Sequence, residues 1–177
     1  MEVMCSLAYI GFGANLGDPE DTFYKAMEKI GTLKWVYLRK VSSLYKTEPV
    51  GLKDNGPEFL NAVLEAQVEM SPFDLIYDLR KIERALGKNH SHKSDRSRKI
   101  DLDLLLFADK VLSSDTLEVP HPRMETRGFV LAPLAEIAPD FVHPGLKLTI
   151  RELLDKLSPE ELCKVRLFKA VNKLEGV

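Results

Sequence analysis

Two aspartates on a predicted strand, Asp101 and Asp103, are the residues whose type and spacing point most directly to chemistry. Side chains at positions i and i+2 of a strand project from the same face, about 6.5–7 Å apart. Magnesium prefers oxygen ligands and usually takes one or two carboxylates together with phosphate and water. The pair could therefore hold two magnesium ions against a polyphosphate. The alternative is two aspartates that face solvent without a ligand, and an Asp-x-Asp motif by itself does not separate the two.

A basic segment, Lys88 to Lys99, comes directly before the aspartates and contains no aliphatic residue. Such a segment cannot join a packed core, so we expect a loop. Arg98 is close enough in sequence to contact phosphate oxygens held at the aspartates, and a guanidinium suits bidentate phosphate contact. A merely solvated basic loop is the alternative. His90 and His92 have no third or fourth ligand at a zinc-site spacing, which argues against zinc.

A second polar cluster follows in Pro120-His121-Pro122-Arg123 and at Arg127. Proline restricts the backbone here, so the imidazole and guanidinium groups would be held in a defined loop. Asn61 is a further candidate, because asparagine is depleted in strands and its amide then requires a specific partner. That partner is either a loop backbone or the rim of a heterocyclic ring.

Common nucleotide-binding and hydrolase motifs are excluded. There is no Gly-x-x-x-x-Gly-Lys-Ser/Thr stretch and no Gly-x-Ser-x-Gly elbow. The glycines from Gly11 to Gly17 resemble a dinucleotide fingerprint, but the third glycine is one residue late, and we interpret them as turn formers.

Apolar spacing and capping residues predict the elements that must position these side chains. Their order is βαββαβ followed by a C-terminal part, which favours a two-layer α+β domain with a largely antiparallel sheet and helices on one face. The predicted strands are Cys5–Phe12, Trp35–Tyr45, Phe59–Met70 and Ile100–Phe107, with a short pair at 111–112 and 117–119. The predicted helices are Pro19–Ile30, one from the cap Ser71 to Gly87, Gly128–Ala138 and Ile150–Leu157.

Composition sets the remaining limits. With 177 residues, of which 45% are apolar, residues 1–177 are expected to form a single domain. A net charge of −2 argues against nucleic acid as a partner. Cys5 and Cys163 lack metal or redox spacing and are expected to be buried free thiols. The sequence has no basic leader and no membrane-length apolar run, so we expect a cytoplasmic protein without a membrane partner; oligomeric state is left open.

Taken together, the motifs resemble those of the 6-hydroxymethyl-7,8-dihydropterin pyrophosphokinase (HPPK) family, over about Ala8 to Leu153. Each motif is weak alone, but their order and spacing together are specific. They are Gly13-Ala-Asn-Leu-Gly17, Thr47-Glu-Pro49-Val50-Gly51, Phe59-Leu-Asn61, Ile82-Glu83, Arg98-Lys-Ile-Asp101-Leu-Asp103, Pro120-His121-Pro122-Arg123-Met124 and Arg127-Gly-Phe129.

The resemblance implies a ferredoxin-like α+β fold and magnesium-dependent transfer of pyrophosphate from ATP to the pterin hydroxymethyl, releasing AMP, in folate biosynthesis. It implies that Asp101 and Asp103 bind two magnesium ions. It also implies a pterin pocket of Thr47, Pro49, Val50, Phe59, Asn61 and Phe129. The ATP contacts that it implies are Glu83, Arg98, His121 and Arg127, with Arg98 and His121 also acting in catalysis.

The segment 88–97 departs from the family pattern, because it lacks the usual aromatic-Gly-Pro before the arginine. How that loop closes over ATP is therefore left open, and no general base is identified. Two other functions are also kept: a ferredoxin-like module that binds nucleotide or RNA without turnover, and another magnesium-dependent transferase with a different acceptor. The near-neutral charge disfavours RNA.

Overall fold

The computed structural model describes residues 5–48, 56–87 and 99–171. The strands are β1 (Ser6–Ala14), β2 (Val36–Val41), β3 (Leu44–Thr47), β4 (Phe59–Val68), β5 (Asp101–Phe107), β6 (Leu112–Ser113), β7 (Glu118–Val119) and β8 (Val165–Lys169). The helices are α1 (Pro19–Gly31), α2 (Pro72–Ala85), α3 (Gly128–Ile137), α4 (Ile150–Asp155) and α5 (Pro159–Cys163), with a 3-10 turn at Met124–Thr126. No helix in these residues is long and apolar enough to span a membrane.

Six of the described strands form one antiparallel sheet in the order β5-β1-β4-β3-β8, with β2 also paired to β4. The strands β5, β1, β4 and β3, in that spatial order, belong to the part of the chain for which the succession βαββαβ is predicted. The register aligns Gly13 with Asn61 on one side and with Asp101 on the other. One row of paired residues therefore runs from the acidic strand to the strand that carries the asparagine.

Both long helices begin where their caps predict. Asp18 accepts a hydrogen bond from the Asp21 amide and precedes Pro19, and Ser71 does the same for the Asp74 amide before Pro72. These short polar side chains satisfy amide groups that the first helical turn leaves without a partner. The predicted starts of α1 and α2 are confirmed.

The two faces of the sheet have different compositions. On one face, α1 and α2 pack on apolar residues of β1, β4 and β5, among them Ile10, Leu64 and Leu102. On the other face, α3 and α4 pack on a smaller apolar group that includes Tyr9, Val63 and Leu105. The expectation that helices cover one face is therefore incomplete, because the C-terminal helices cover part of the second.

The predicted strand Trp35–Tyr45 is divided in two. At the break, the Ser42 hydroxyl accepts a hydrogen bond from the Val63 amide, and the Ser43 amide donates to the Glu136 carboxylate at 3.0 Å. The chain thus leaves the regular ladder at the two serines because α3 supplies a competing acceptor. Both β2 and β3 still pair with β4. The register shifts by one residue within β2, between Leu38 and Lys40, and by one more between β2 and β3.

Three further expectations need correction. Cys5 and Cys163 are free thiols but exposed, because Cys5 precedes β1 and Cys163 ends the exposed helix α5. Gly11 and Gly13 lie inside β1 rather than in a turn. Of these three glycines, only Gly17 has a positive φ, 69°, as a turn glycine does. Helix α5 and strand β8 are additional elements, and β8 pairs with β3.

Candidate active site

Asp101 and Asp103 lie on the same face of β5, as their spacing predicts. Their cross-strand partners on β1 are the glycines Gly13 and Gly11, so no side chain from β1 stands beside the carboxylates. The Asp101 side chain is 16% exposed and the Asp103 side chain 32% exposed. The site is therefore a partly desolvated acidic pair, and part of each side chain is exposed.

The buried carboxylate of Glu83 on α2 supports this acidic pair from behind. It is 1% exposed and accepts a hydrogen bond of 2.7 Å from the backbone amide of Leu102, the residue between the two aspartates. Leu102 is itself fully buried among the residues that pack under α2. Glu83 thus fixes the position of β5 at the point where both aspartate side chains originate.

Arg80, one turn before Glu83 on α2, extends its guanidinium over the acidic pair. Its Nη1 lies 3.0 Å from both Glu83 carboxylate oxygens and 4.0 Å from Asp101 Oδ1, and its Nη2 lies 3.9 Å from Asp103 Oδ1. Burial lowers the pKa of Arg80, but Glu83 and the two aspartates outweigh that effect and raise it. Arg80 is therefore positively charged and faces three carboxylates.

His121 approaches Asp103 from the loop that follows β7. Its Nε2 lies 3.9 Å from Asp103 Oδ2, its Nδ1 lies 2.8 Å from the Pro122 carbonyl oxygen, and its backbone amide donates to the Leu105 carbonyl. The loop is thus attached to β5 by its backbone, which supports the prediction that this imidazole is held in a defined place.

The electrostatics of the pair favour an added cation. Burial, and then the charge of Asp101, raise the pKa of Asp103, while His121 and Arg80 oppose the shift without cancelling it. Two carboxylates that repel each other in a half-buried position are the oxygen donors that a divalent cation would neutralise. Among the described residues, no group of three or more His, Cys, Asp or Glu side chains forms a complete protein cage for a metal.

Asn61 stands two strands away from Asp101 in the same cross-sheet row. Its Nδ2 donates a 2.9 Å hydrogen bond to the Thr47 hydroxyl, and both side chains are buried. The observed partner of the Asn61 amide is thus a side chain of β3, not the loop backbone that the sequence offered as one alternative. Because adjacent strands are about 4.8 Å apart, the Asn61 and Asp101 backbones are separated by roughly 10 Å.

Gly13 forms the floor between the asparagine and the aspartates. A Cβ added there would meet Asn61 Oδ1 at 3.5 Å and, among the described residues, no other atom within 4 Å. A Cβ at Gly11, by contrast, would meet three side-chain atoms of Leu105 at 3.3–3.4 Å. The space over Gly13 is therefore open, whereas the space over Gly11 is filled by the core.

The aromatic candidates lie on two different elements. Phe59 is half-buried at the start of β4 and pairs with Thr47 in the register. Phe129 is half-buried in the first turn of α3, and the Arg127 guanidinium carbon lies 5.7 Å from its ring centre. Pro49, Val50 and Arg98 lie outside the described residues.

Sequence reasoning missed Arg80 at this site. The available signal was its i, i+3 spacing to Glu83, which places the two side chains on one face of a helix. That signal was masked because α2 also carries other basic side chains, such as Lys81 and Arg84.

Residues 9–139 match the family model for 7,8-dihydro-6-hydroxymethylpterin-pyrophosphokinase (HPPK). The chain belongs to this family. The resemblance read from the motifs is thereby confirmed, and with it the expectation of an enzyme of the HPPK family.

Curated HPPK relatives match over most of the chain. A 2-amino-4-hydroxy-6-hydroxymethyldihydropteridine pyrophosphokinase of Haemophilus influenzae is 35% identical over 89% of this chain and 97% of its own length. The enzyme of the same name from Bacillus subtilis is 42% identical over 76% of this chain and 79% of its own length. The folic acid synthesis protein fol1 of Schizosaccharomyces pombe is 38% identical, and the chain spans a fifth of its length.

Solved structures agree in fold. The HPPK-DHPS of Plasmodium falciparum, crystallised with pteroate, superposes with a TM-score of 0.69 at 14% identity, over 86% of this chain and 42% of that chain. The α+β class, with an antiparallel sheet and helices packed on it, is confirmed.

Proposed function

We propose that this HPPK-family chain transfers pyrophosphate from ATP to 6-hydroxymethyl-7,8-dihydropterin, producing AMP and the pterin diphosphate for folate synthesis. The observation that carries the proposal is the row Asp101–Gly13–Asn61 on one open face of the sheet. It combines a phosphate-handling end and a polar end that suits a heterocycle. The full names of the HPPK relatives describe the same reaction class.

In the proposed reaction, the pterin hydroxymethyl oxygen bonds to the β-phosphorus of ATP as the bond from that phosphorus to the α–β bridging oxygen breaks. The bridging oxygen leaves with AMP, and the hydroxyl proton is released. Phosphoryl-type transfer requires mainly in-line positioning and stabilisation of negative charge. Neither requirement calls for a covalent intermediate with the protein.

Magnesium is the proposed cofactor, with ATP as co-substrate. Asp101 and Asp103 would hold the metal, two ions being the number implied by the family resemblance. When bound, magnesium supplies charge neutralisation on the phosphates and a template for their orientation. The partly exposed carboxylates leave coordination positions for phosphate and water, as magnesium requires.

The other predicted residues have proposed roles that fit their positions. His121, and Arg98 beyond the described residues, would stabilise the departing AMP, and Arg127 would contact the phosphates. Glu83 is proposed to act at the ATP site through Arg80 and β5, since its carboxylate is occupied by both.

The pterin would bind at the opposite end of the row. Asn61 would hydrogen-bond the ring, oriented by its contact to Thr47, and Phe59 and Phe129 would stack on the ring faces. Pro49 and Val50 complete the proposed pocket. Small soluble substrates also agree with the predicted cytoplasmic location, which stays a prediction.

The test is a product analysis with magnesium, ATP and 6-hydroxymethyl-7,8-dihydropterin, followed by separation of the adenine nucleotides. Pterin-dependent AMP is the expected result, and a reaction without pterin is the control. ADP in place of AMP would indicate a simple kinase. Nucleotide binding without pterin-dependent turnover would favour a binding module or a transferase with another acceptor.

A further inference from the structure

Arg80 places a fixed positive charge where the proposed metal would bind. Its guanidinium lies 4.0 Å from Asp101 and 3.9 Å from Asp103, within the range of ion pairs. Glu83 holds it there through both carboxylate oxygens at 3.0 Å, and Glu83 is itself fixed by the Leu102 amide. The guanidinium is therefore anchored rather than free to leave when a metal ion arrives.

Arg80 would interact unfavourably with a metal ion bound at the aspartates. A divalent ion held by Asp101 and Asp103 would lie near the guanidinium, and like charges a few ångströms apart repel. A second divalent ion would add to this repulsion unless an anion accompanied it.

Nucleotide phosphates offset the repulsion between the metal ion and Arg80. A polyphosphate brings negative charge to the same face, and a guanidinium forms short, charge-assisted and bidentate contacts with phosphate oxygens. The Arg80 side chain is 39% exposed, so part of its donor fork is accessible to such a ligand. Arg80 would thus oppose the metal alone and favour the metal together with nucleotide.

We propose that Arg80 is a positioning residue that makes metal binding at Asp101 and Asp103 depend on nucleotide. The inference rests on the proposed function, because it takes those two carboxylates as the metal site. It assigns to Arg80 a coupling between two ligands: each raises the affinity for the other by the same factor.

Calorimetric titration with Mn²⁺ tests this coupling, with and without α,β-methylene-ATP, in which the bond to be cleaved is blocked. Arg80→Gln removes the charge and is expected to tighten Mn²⁺ binding by the nucleotide-free protein about tenfold, the effect of about 1.4 kcal/mol of repulsion. With the analogue present, the same variant is expected to bind Mn²⁺ no more tightly than the wild type. Arg80→Lys keeps the charge and is expected to bind Mn²⁺ alone as the wild type does.

The matched control is Arg84→Gln, the same change one turn later at an exposed position of α2. It should leave both titrations at wild-type values. A tenfold gain is a result that mere disruption of the site would not produce. Equal Mn²⁺ affinity of Arg80→Gln, Arg84→Gln and the wild type in the absence of nucleotide would overturn the role of Arg80.

A separate titration tests whether Asp101 and Asp103 are the metal site at all. The double variant Asp101→Asn/Asp103→Asn is expected to lose Mn²⁺ binding without the analogue and, with it, to bind Mn²⁺ no more tightly than the analogue alone does. If the double variant bound Mn²⁺ as the wild type does, the metal would lie elsewhere, and both the proposed cofactor site and the inference about Arg80 would be overturned.

Discussion

The two faces of the central sheet use the same strands for opposite purposes. Under α1 and α2, alternate residues of β1, β4 and β5 are apolar and fully buried. On the other face, the intervening residues include Asp101 and Asp103 on β5 and Asn61 on β4. The strand between β5 and β4 is β1, which has only the glycines Gly11 and Gly13 at the paired positions. The first face lowers the free energy of the fold. The second face, beside the apolar group under α3 and α4, keeps polar groups in place at some cost to stability. Substitutions on adjacent positions of one strand should therefore affect different properties.

Asp103→Asn should have the largest effect and should separate the two faces most clearly. Loss of one carboxylate of the proposed metal site removes several kcal/mol of charge stabilisation, so pterin-dependent AMP formation should fall by about a thousandfold. Steady-state assays at saturating magnesium measure the loss. Asp109→Asn, an exposed aspartate beyond the end of β5, is the control. Activity within a few-fold of wild type would exclude Asp103 from the mechanism.

The same variant should be at least as stable as the wild type, and the sign follows from the raised pKa of Asp103. A carboxyl whose pKa is higher in the folded state costs stability once it ionises, that is, as pH rises above its unfolded pKa. Asp103→Asn removes this cost, so its gain in melting temperature should be greater at pH 7 than at pH 4. Thermal unfolding without metal at the two pH values checks it; a lower melting temperature at pH 7 would contradict the assignment.

Leu64→Ala should produce the opposite result from the buried face. Leu64 is 1% exposed beneath α1 and α2, and its truncation should lower the free energy of unfolding by about 2–5 kcal/mol. Activity per folded molecule should stay within about twofold, since the side chain points away from the proposed site. Urea titration measures stability, and Leu167→Ala, which shortens an exposed leucine, is the control. A large loss of kcat with little loss of stability would break the division between the faces.

Asn61→Ala should act on the pterin alone. Removing a side chain that fixes a buried polar contact costs about 1–3 kcal/mol, so KM for the pterin should rise roughly ten- to a hundredfold. KM for ATP should stay near its wild-type value because the nucleotide end is about 10 Å away. Thr47→Val, which removes the hydrogen-bond acceptor of Asn61, should shift the same constant in the same direction by a smaller factor. An equal rise in both KM values would place Asn61 outside a separate pterin pocket.

Gly13→Ala and Gly11→Ala should have the smallest effects, and the two variants should differ in the property that changes, KM for the pterin or stability. A methyl over Gly13 has room, so stability should hold or rise by up to about 1 kcal/mol, while KM for the pterin rises a few-fold. A methyl over Gly11 pushes against Leu105 and should cost about 1 kcal/mol or more without a matching change in KM. Melting temperatures and pterin titrations of the two variants check this. The reverse pattern would show that the floor of the site is misassigned.

Structural features with a cause nearby in the chain could be predicted from the sequence, whereas features with a distant cause could not. The starts of α1 and α2 were predictable because Asp18 and Ser71 act on amides three residues away. The break between β2 and β3 was not, because its cause is Glu136, 93 residues further along the chain. Strand β8 was missed for a similar reason: its short, mostly exposed sequence becomes a strand through pairing with β3.

The site shows the same limit. The spacing of Asp101 and Asp103 was sufficient to place both carboxylates on one face. The demand of Asn61 for a partner was also visible, although Thr47 became that partner only through the register of β3 and β4. The approach of Arg80 to both aspartates depends on how α2 packs against β5, and no local pattern encodes that packing.

Glu83 also affects whether a strand from another molecule can pair with β5. β5 is the outermost strand of the described sheet, and outermost strands offer unpaired amides to which a strand from another chain can add. The Glu83 carboxylate on α2 accepts a hydrogen bond from the Leu102 amide, so this position on the outer side of β5 is buried and already hydrogen-bonded. At the opposite margin, β8 carries Arg166 and Lys169, which pair with Glu58 and Glu20. A buried carboxylate at one margin of the sheet and charged pairs at the other thus oppose the addition of a strand from another molecule. A substitution at Glu83 would therefore reduce solubility as well as disturb the acidic pair.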